Sequence, residues 1–249
     1  MMKKVILITG ASRGIGAATA LAAADAGYHV GINYTRDEGA AQAIAEQVRA
    51  KGAMAAVLQA DISNEAQVLA MFDAVHTQLG ALTALVNNAG IILAQARLQD
   101  MDATRIQRML AVNVFGALVC AREAVRRMST ENGGRGGAIV NVSSMAARLG
   151  SPNEYVDYAA CKGAIDTLTI GLSKEVANQG IRVNGLRPGV INTDIHGSAG
   201  DPGRADRVAP SIPMQRAGEP QEVAAGLLWL LGDAASYVTG TFIDVAGGR

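Results

Sequence analysis

Short aliphatic runs alternate with longer segments of helical period along this chain, and the alternation predicts its elements. Residues 5–8, Val-Ile-Leu-Ile, form an uninterrupted aliphatic run, the pattern of a strand buried on both faces of a parallel sheet. An Ala-rich helix follows to about residue 26, where Gly27 supplies a stop. Further strands are expected at 29–34, 53–59, 82–86, 138–142, 181–186 and 240–245. Helices are expected at 38–51, 65–79 and 102–128, from Tyr158 towards Gly180, and at 219–231 with a proline at the start. Strand and helix take turns from end to end, which gives one α/β domain around a parallel sheet, with no internal boundary or repeat. Only 196–213 breaks the rhythm. It is rich in Gly, Pro, Ser and Arg without periodicity, and so long a loop in a compact domain is usually functional, often a lid.

The first strand runs straight into Thr9-Gly10-Ala11-Ser12-Arg13-Gly14-Ile15-Gly16. A strand, a glycine turn and a helix N-terminus make a phosphate cradle: glycines admit the backbone to the anion, and free N–H groups with the helix dipole attract it. The spacing is G-x-x-x-G-x-G rather than the G-x-G-x-x-G of the dinucleotide fingerprint. A tight structural turn is the bland alternative, but the place directly after a buried strand favours the phosphate role. NAD-binding folds usually put an acid about 20 residues after the glycines to hold the ribose 2′-hydroxyl. Here Asn33, Tyr34, Thr35 and Arg36 occupy that place, and no acid stands before Asp37. Arg36 and Arg13 suit a 2′-phosphate, because a guanidinium fork matches an oxyanion. The expected cofactor is therefore NADP(H) rather than NAD. Past later strands, Asp61-Ile62 is set to meet an adenine edge or to open a helix, and Asn87-Asn88-Ala89-Gly90 suits a ligand crevice or an ordinary turn.

Tyr158 and Lys162 stand four positions apart, which stacks them on one helix face with about 5–6 Å between their Cβ atoms. An ammonium so close favours the phenolate and predicts a Tyr158 pKa below its ordinary value of about 10. A tyrosine tuned that way gives a proton to a carbonyl oxygen or takes one from an alcohol. Ser143 and Ser144 follow the strand upstream, where a hydroxyl could bind the same oxygen. Composition alone yields about 0.1 Tyr-x-x-x-Lys pairs in such a chain, and a lone pair is more often a solvated helix contact. Asn113 falls inside a predicted helix, where Asn is slightly unfavourable, and that indicates a packing or site role.

Composition narrows the field. The 249 residues are 49% hydrophobic and 18% charged, ample for a buried core. Formal charge is zero and no long basic run occurs, so nucleic acid is not an expected partner. Cys120 and Cys161 are too few for a disulfide framework. Lys3-Lys4 precedes too short an apolar run for a secretory or transmembrane segment, so a soluble cytoplasmic protein with no membrane partner is expected. His29, His76 and His196 lack ligand spacing and Gly-x-Ser-x-Gly is absent, which argues against a metalloenzyme or a serine hydrolase.

Taken in order, Thr9-Gly-x-x-x-Gly-Ile-Gly16, Asn87-Asn-Ala-Gly90, Asn113, the strand-end serines, Tyr158-x-x-x-Lys162 and Pro188-Gly189 resemble the short-chain dehydrogenase/reductase family over essentially the whole chain. Each motif is weak alone; the ordered set is specific. The resemblance implies a single Rossmann-like domain over 1–249, a doubly wound parallel sheet of about seven strands with helices on both faces. It also implies a homotetramer or dimer built partly on the helices carrying Asn113 and Tyr158. By position, Tyr158 would be the general acid/base, Lys162 would lower its pKa and bind the nicotinamide ribose, and Asn113 would hold a relay water. Ser144 aligns best with the substrate-binding serine. Ser143 stays open, because the Ser144–Tyr158 interval is one residue longer than in much of the family. Tyr155 is set aside as the acid, since Ala159 lies four residues beyond it. Cys161 stands where Ser is common and is expected to pack. Cofactor contacts are expected from Gly10, Ser12, Arg13, Gly14, Ile15, Gly16, Asn33, Tyr34, Thr35, Arg36, Asp61, Ile62, Asn87, Ala89, Gly90, Tyr158, Lys162, Pro188, Gly189, Ile191 and Thr193.

Two functions compete. One is NADP-dependent interconversion of a carbonyl and an alcohol, in a chain that looks most like 3-oxoacyl-[acyl-carrier-protein] reductases and the glucose-dehydrogenase-like group. An acidic acyl carrier protein would then be a candidate partner, meeting Arg126 and Arg127. The other is a non-catalytic dinucleotide-binding scaffold or redox sensor, which would be expected to have lost the tyrosine or the lysine. Substrate specificity is expected from 196–213.

Overall fold

The computed structural model describes residues 4–249; Lys3 and the His196 side chain lie outside the described residues. The first half runs β1 (Lys4–Ile8), α1 (Gly14–Asp25), β2 (Tyr28–Tyr34), α2 (Glu38–Ala50), β3 (Ala55–Gln59), α3 (Glu65–Leu79) and β4 (Ala84–Asn87). The second half runs α4 (Ala103–Leu110), α5 (Ala117–Met128), β5 (Gly137–Val142), α6 (Ala146–Leu149), α7 (Val156–Glu175) and β6 (Ile181–Pro188). It closes with α8 (Ile195–Ser198), α9 (Arg204–Val208), α10 (Pro220–Leu231) and β7 (Phe242–Val245).

The seven strands pair in parallel in the order β3-β2-β1-β4-β5-β6-β7. Side chains of β1 alternate between two cores, as the two-residue period of a strand requires. Ile6 and Ile8 pack with Ala20, Val48 and Leu227 of α1, α2 and α10. Val5 and Leu7 pack with Phe72 of α3 and Cys120 and Met128 of α5. Covering on both faces explains why the strands read as unbroken aliphatic runs. Strand order reverses between β1 and β4, and at such a switch point the crevice beyond the carboxyl ends takes the ligand.

Two expectations change. The helix expected over 102–128 is interrupted by a π-helical turn, Ala111–Gly116, which contains Asn113. A π-turn adds a residue to the turn and re-aims the side chains within it, which a 3.6-residue pattern cannot display. The stretch 196–213 is not a structureless loop: α8, α9 and a 3₁₀ turn at Ala209–Ser211 occupy it. Helices of four and five residues are too short to show a period.

Gly16 lets the first turn of α1 close on the sheet. A Cβ there would lie 2.3 Å from the Gly10 carbonyl oxygen and 2.8 Å from Asn88 Nδ2. Gly16→Ala is expected to cost about 1–3 kcal/mol by overpacking and to weaken dinucleotide binding. Urea unfolding and cofactor titration check both; a variant with unaltered stability would refute the close approach.

Candidate active site

The carboxyl ends of β1, β4, β5 and β6 open on a cavity of about 410 Å³ whose lining includes Ser144, Tyr158 and Lys162. Tyr158 lies in the first turn of α7 and Lys162 one turn further, so helix geometry brings both to the end of β5. Lys162 is 5% exposed, and its Nζ donates to the Val142 carbonyl at 2.7 Å. The same Nζ lies 5.6 Å from the Tyr158 ring centroid. Burial pulls the Lys162 pKa down to about 8, with Cys161 and Asp166 acting the other way.

Tyr158 departs from expectation. Burial pushes its pKa up to about 12, and a hydrogen bond with Ser144 offsets only part of that rise. The phenolate loses more by leaving water than the Ser144 bond returns, and the Lys162 ammonium is turned to the Val142 carbonyl. At neutral pH the tyrosine therefore holds its proton. The two serines also separate. Ser143 is buried and its hydroxyl donates to the Lys162 carbonyl at 3.2 Å. Ser144 is half-buried beside Tyr158, its Oγ accepting from the Ala146 amide at 3.1 Å.

Asn113 is buried, and the π-turn aims it at the residue after Gly90. Its Oδ1 accepts from the Ile91 amide at 2.9 Å and its Nδ2 donates to the Ile91 carbonyl at 3.0 Å. Gly90 leaves the room between them: a Cβ there would stand 2.8 Å from Asn113 Oδ1 and 3.7 Å from Lys162 Nζ. Asn113, Gly90 and Lys162 thus converge at one point.

The glycine turn is built to receive an anion. Short polar side chains cap α2, α3 and α4: Asp37, Asn64 and Asp102 each accept from an amide in the first turn. Arg13, which precedes α1, offers no side-chain cap, and the first turn of α1 has no acid. Its leading N–H groups suit a phosphate. Asn33 shapes this turn from below: its Oδ1 accepts from the Gly10 amide at 3.1 Å, while its Nδ2 donates to the Leu58 and Ala60 carbonyls. Thr9 and Asn88 do the same from the β4 side. Thr9 Oγ1 accepts from the Asn88 and Ala89 amides, and Asn88 Nδ2 donates to the Thr9 and Gly10 carbonyls.

The other expected cofactor residues divide. Ile15, Gly90, Pro188, Gly189, Ile191 and Thr193 line the cavity. Thr193 also approaches the position a Gly14 Cβ would take, at 3.3 Å. Ser12 and Ala89 are half-buried, and Arg13, Thr35 and Arg36 are exposed. Several side chains instead face inward. Tyr34 packs in the core, Ile62 lies beneath Gly116, and Asn87 donates to the Ala117 carbonyl at 2.8 Å. Asp61 binds Ser63 and Arg108; burial works to raise its pKa, and those bonds outweigh it and leave it lowered.

Known proteins resemble this chain over nearly its whole length. The family profile described as enoyl-(acyl carrier protein) reductase matches residues 10–249. Over 98% of this chain and 99% of that protein, the sequence is 60% identical to YgfF, an uncharacterized oxidoreductase of Escherichia coli. It is 36% identical to the 3-oxoacyl-[acyl-carrier-protein] reductase FabG of Staphylococcus aureus, over 99% of this chain and 98% of that protein. A short-chain type dehydrogenase/reductase from Mycobacterium marinum superposes with a TM-score of 0.91 at 35% identity, over 98% of this chain and 94% of that one.

The chain belongs to the short-chain dehydrogenase/reductase family. It is a hydride-transfer oxidoreductase acting on CH–OH or C=O groups with a nicotinamide dinucleotide. Members of this family are oxidoreductases whose chemistry needs the dinucleotide, and the uncapped α1 terminus fits its phosphates. No helix among the described residues is long and apolar enough to cross a membrane.

Among the cavity residues that the sequence reading did not assign to the site are Glu154, Tyr155 and Arg204. Arg204 lies 50 positions from Glu154, yet its guanidinium reaches that carboxylate at 2.5 Å. Nothing in the local pattern marks such a pair. Tyr155 had been weighed only as an acid. Thr9 and Asn88 stood within quoted motifs, but their part in holding the turn shows only in the hydrogen bonds.

Lys162 carries a pH signature. Its folded pKa of about 8 lies below the ordinary 10.5, so the unfolded chain binds more protons between those values and stability rises with pH across that window. Lys162→Met lacks this rise. Its stability relative to the parent is therefore expected to be greater at pH 7 than at pH 9.5, measured by urea unfolding; an equal difference at both pH values would show that the lysine is not titrating in that window.

Proposed function

We propose that the protein is an NADP(H)-dependent carbonyl reductase, working through Ser144, Tyr158, Lys162 and Asn113. The observation that carries the reading is the Ser144–Tyr158 hydroxyl pair at the cavity, backed by the buried Lys162 ammonium. When bound, the cofactor supplies the hydride. Ser144 hydrogen-bonds the substrate oxygen, and Tyr158, kept protonated by burial, donates its proton to it. Lys162 keeps most of its charge at neutral pH, with Asn113 bracing the backbone beside it. The complete set supports catalysis over a scaffold that has shed its chemistry.

The preference for NADP(H) rests on charge at the end of β2. Asp37, the first acid after it, is engaged in capping α2 through the Ala40 amide at 2.9 Å. Arg13 and Arg36 are exposed just before α1 and just after β2, where a 2′-phosphate would add charge-assisted bonds. Small carbonyl compounds are the favoured substrates. Arg126 and Arg127 are ion-paired with Glu123, and Arg127 also with Asp73, which leaves less free charge for an acidic acyl carrier protein. Exposed Phe115, Leu118 and Ile170 on the α5 and α7 side support a homo-oligomer built there.

Absorbance at the nicotinamide band tests the reading, with NADPH or NADH against 3-oxoacyl thioesters, ketones, diketones and sugars. Preferential NADPH consumption by one carbonyl class is expected; tight cofactor binding with no turnover in either direction would overturn it. Tyr158→Phe is expected to lose about 10²–10⁴-fold in kcat while binding NADPH normally. Near-normal turnover would refute the acid assignment. Replacing Arg13 and Arg36 together with Ala is expected to lower the NADPH/NADH affinity ratio by about tenfold or more, given charge-assisted bonds of about 1.5–3 kcal/mol. An unchanged ratio would refute the phosphate contact.

A further inference from the structure

The wall of the cavity away from the glycine turn is charged and closed on itself. Glu154 stands in the turn before α7, a turn in which Ser151 and Asn153 hold left-handed φ values of 43° and 64°. Left-handed non-glycine residues persist where surrounding structure holds them. The Glu154 carbonyl is held in turn by the Ala96 amide at 3.1 Å. Arg204 arrives from α9, within the stretch where specificity was expected. Its Nη1 and Nη2 donate to the two carboxylate oxygens of Glu154, at 3.2 and 2.5 Å. The guanidinium also sits 5.0 Å over the Tyr155 ring, and Arg204 is only 9% exposed.

The neighbouring charges are an acid, Asp201, and two exposed arginines, Arg207 and Arg249. Asp201 lies 4.0 Å from Arg204 and is ion-paired with Arg207. Arg249 lines the cavity and, with Arg207, helps to hold Glu154 ionised. Glu154, Arg204, Ser144 and Tyr158 all line the same cavity, so a substrate on the two hydroxyls shares its space with this pair. A fork-to-fork guanidinium–carboxylate contact cancels the charge of both groups and fixes their geometry. Removing one partner leaves the other's charge uncompensated in a desolvated place.

We propose that Glu154 and Arg204 are a specificity-determining pair: Glu154 neutralises the buried guanidinium in the cavity wall, so that the site favours uncharged carbonyl compounds over those carrying a carboxylate. A carboxylate entering the cavity meets Glu154 already holding the guanidinium that would otherwise receive it. The inference rests on the reading of this cavity as a carbonyl-reducing site. Repulsion and desolvation of the wrong group then discriminate as much as attraction of the right one.

Ethyl 3-oxobutanoate and 3-oxobutanoate are a matched pair of probes. The NADPH-loaded enzyme is assayed with each for kcat/KM, and for binding by quenching of NADPH fluorescence. The parent is expected to prefer the ester by about tenfold or more. Glu154→Gln keeps the shape and frees the guanidinium charge, and is expected to shift the acid-to-ester ratio by about tenfold towards the acid. The double variant Glu154→Arg with Arg204→Glu restores the balance and is expected to return the parent ratio, which separates charge from a mere loss of folding. A parent that takes the acid as readily as the ester, or a Glu154→Gln ratio equal to the parent's, would overturn the proposal. Ester reduction with an unmoved ratio sinks the charge-balance idea alone. A moved binding ratio without turnover of either probe sinks the reductase reading and leaves the charge balance standing.

Discussion

One hydrogen bond holds the cavity end together: the Lys162 ammonium donates to the carbonyl of Val142, the last residue of β5, at 2.7 Å. A buried cation must find an acceptor, and a strand's last carbonyl is one that the sheet leaves free. Ser143 returns the bond, its hydroxyl donating to the Lys162 carbonyl at 3.2 Å. This reciprocal pair locks the middle of α7 against the end of β5. Because the following residue is Ser144, and because Tyr158 lies one helical turn before Lys162, the lock sets the two hydroxyls side by side. The two serines thereby part: Ser143 bonds the Lys162 carbonyl, and Ser144 lines the cavity beside Tyr158.

The same burial decides the electrostatics. Leaving water disfavours both charged forms, so Lys162 falls to about 8 while Tyr158 rises to about 12. The Ser144 hydrogen bond lowers the Tyr158 pKa but by less than desolvation raises it, and the ammonium spends its strongest contact on a backbone carbonyl. A tyrosine that holds its proton suits donation to a carbonyl oxygen. Around the glycine turn the logic is complementary. Thr9, Asn33 and Asn88 use their polar groups to shape the turn, and the helix behind it is left without a side-chain cap. Polar side chains there serve the backbone, and the leading amides of α1 suit an anion.

Much of the fold was legible because a parallel sheet covered on both faces must read as aliphatic runs separated by amphipathic helices. Strand edges moved by one to two residues, as ladder bonding rather than composition ends a strand. The π-turn at Ala111–Gly116 was foreshadowed only by a misplaced Asn113. Tyr158, Lys162, Ser144 and the glycine turn stood out because their spacing is local, and the first three line one cavity. Asn33, Tyr34, Ile62 and Asn87 were named for their positions at strand ends, but their side chains point into the protein, a direction set by pleat and packing.

By itself, then, the sequence determined whatever one helix turn or one strand can encode: the alternating elements, the order of the motifs, and the four-residue spacing of Tyr158 and Lys162. Tertiary structure decided whatever requires distant segments to meet. It turned Lys162 towards Val142, raised the tyrosine instead of lowering it, and closed Arg204 onto Glu154 across 50 positions of chain. The physical reason is that dielectric environment and partner geometry are properties of the packed volume, and local periodicity carries no record of them.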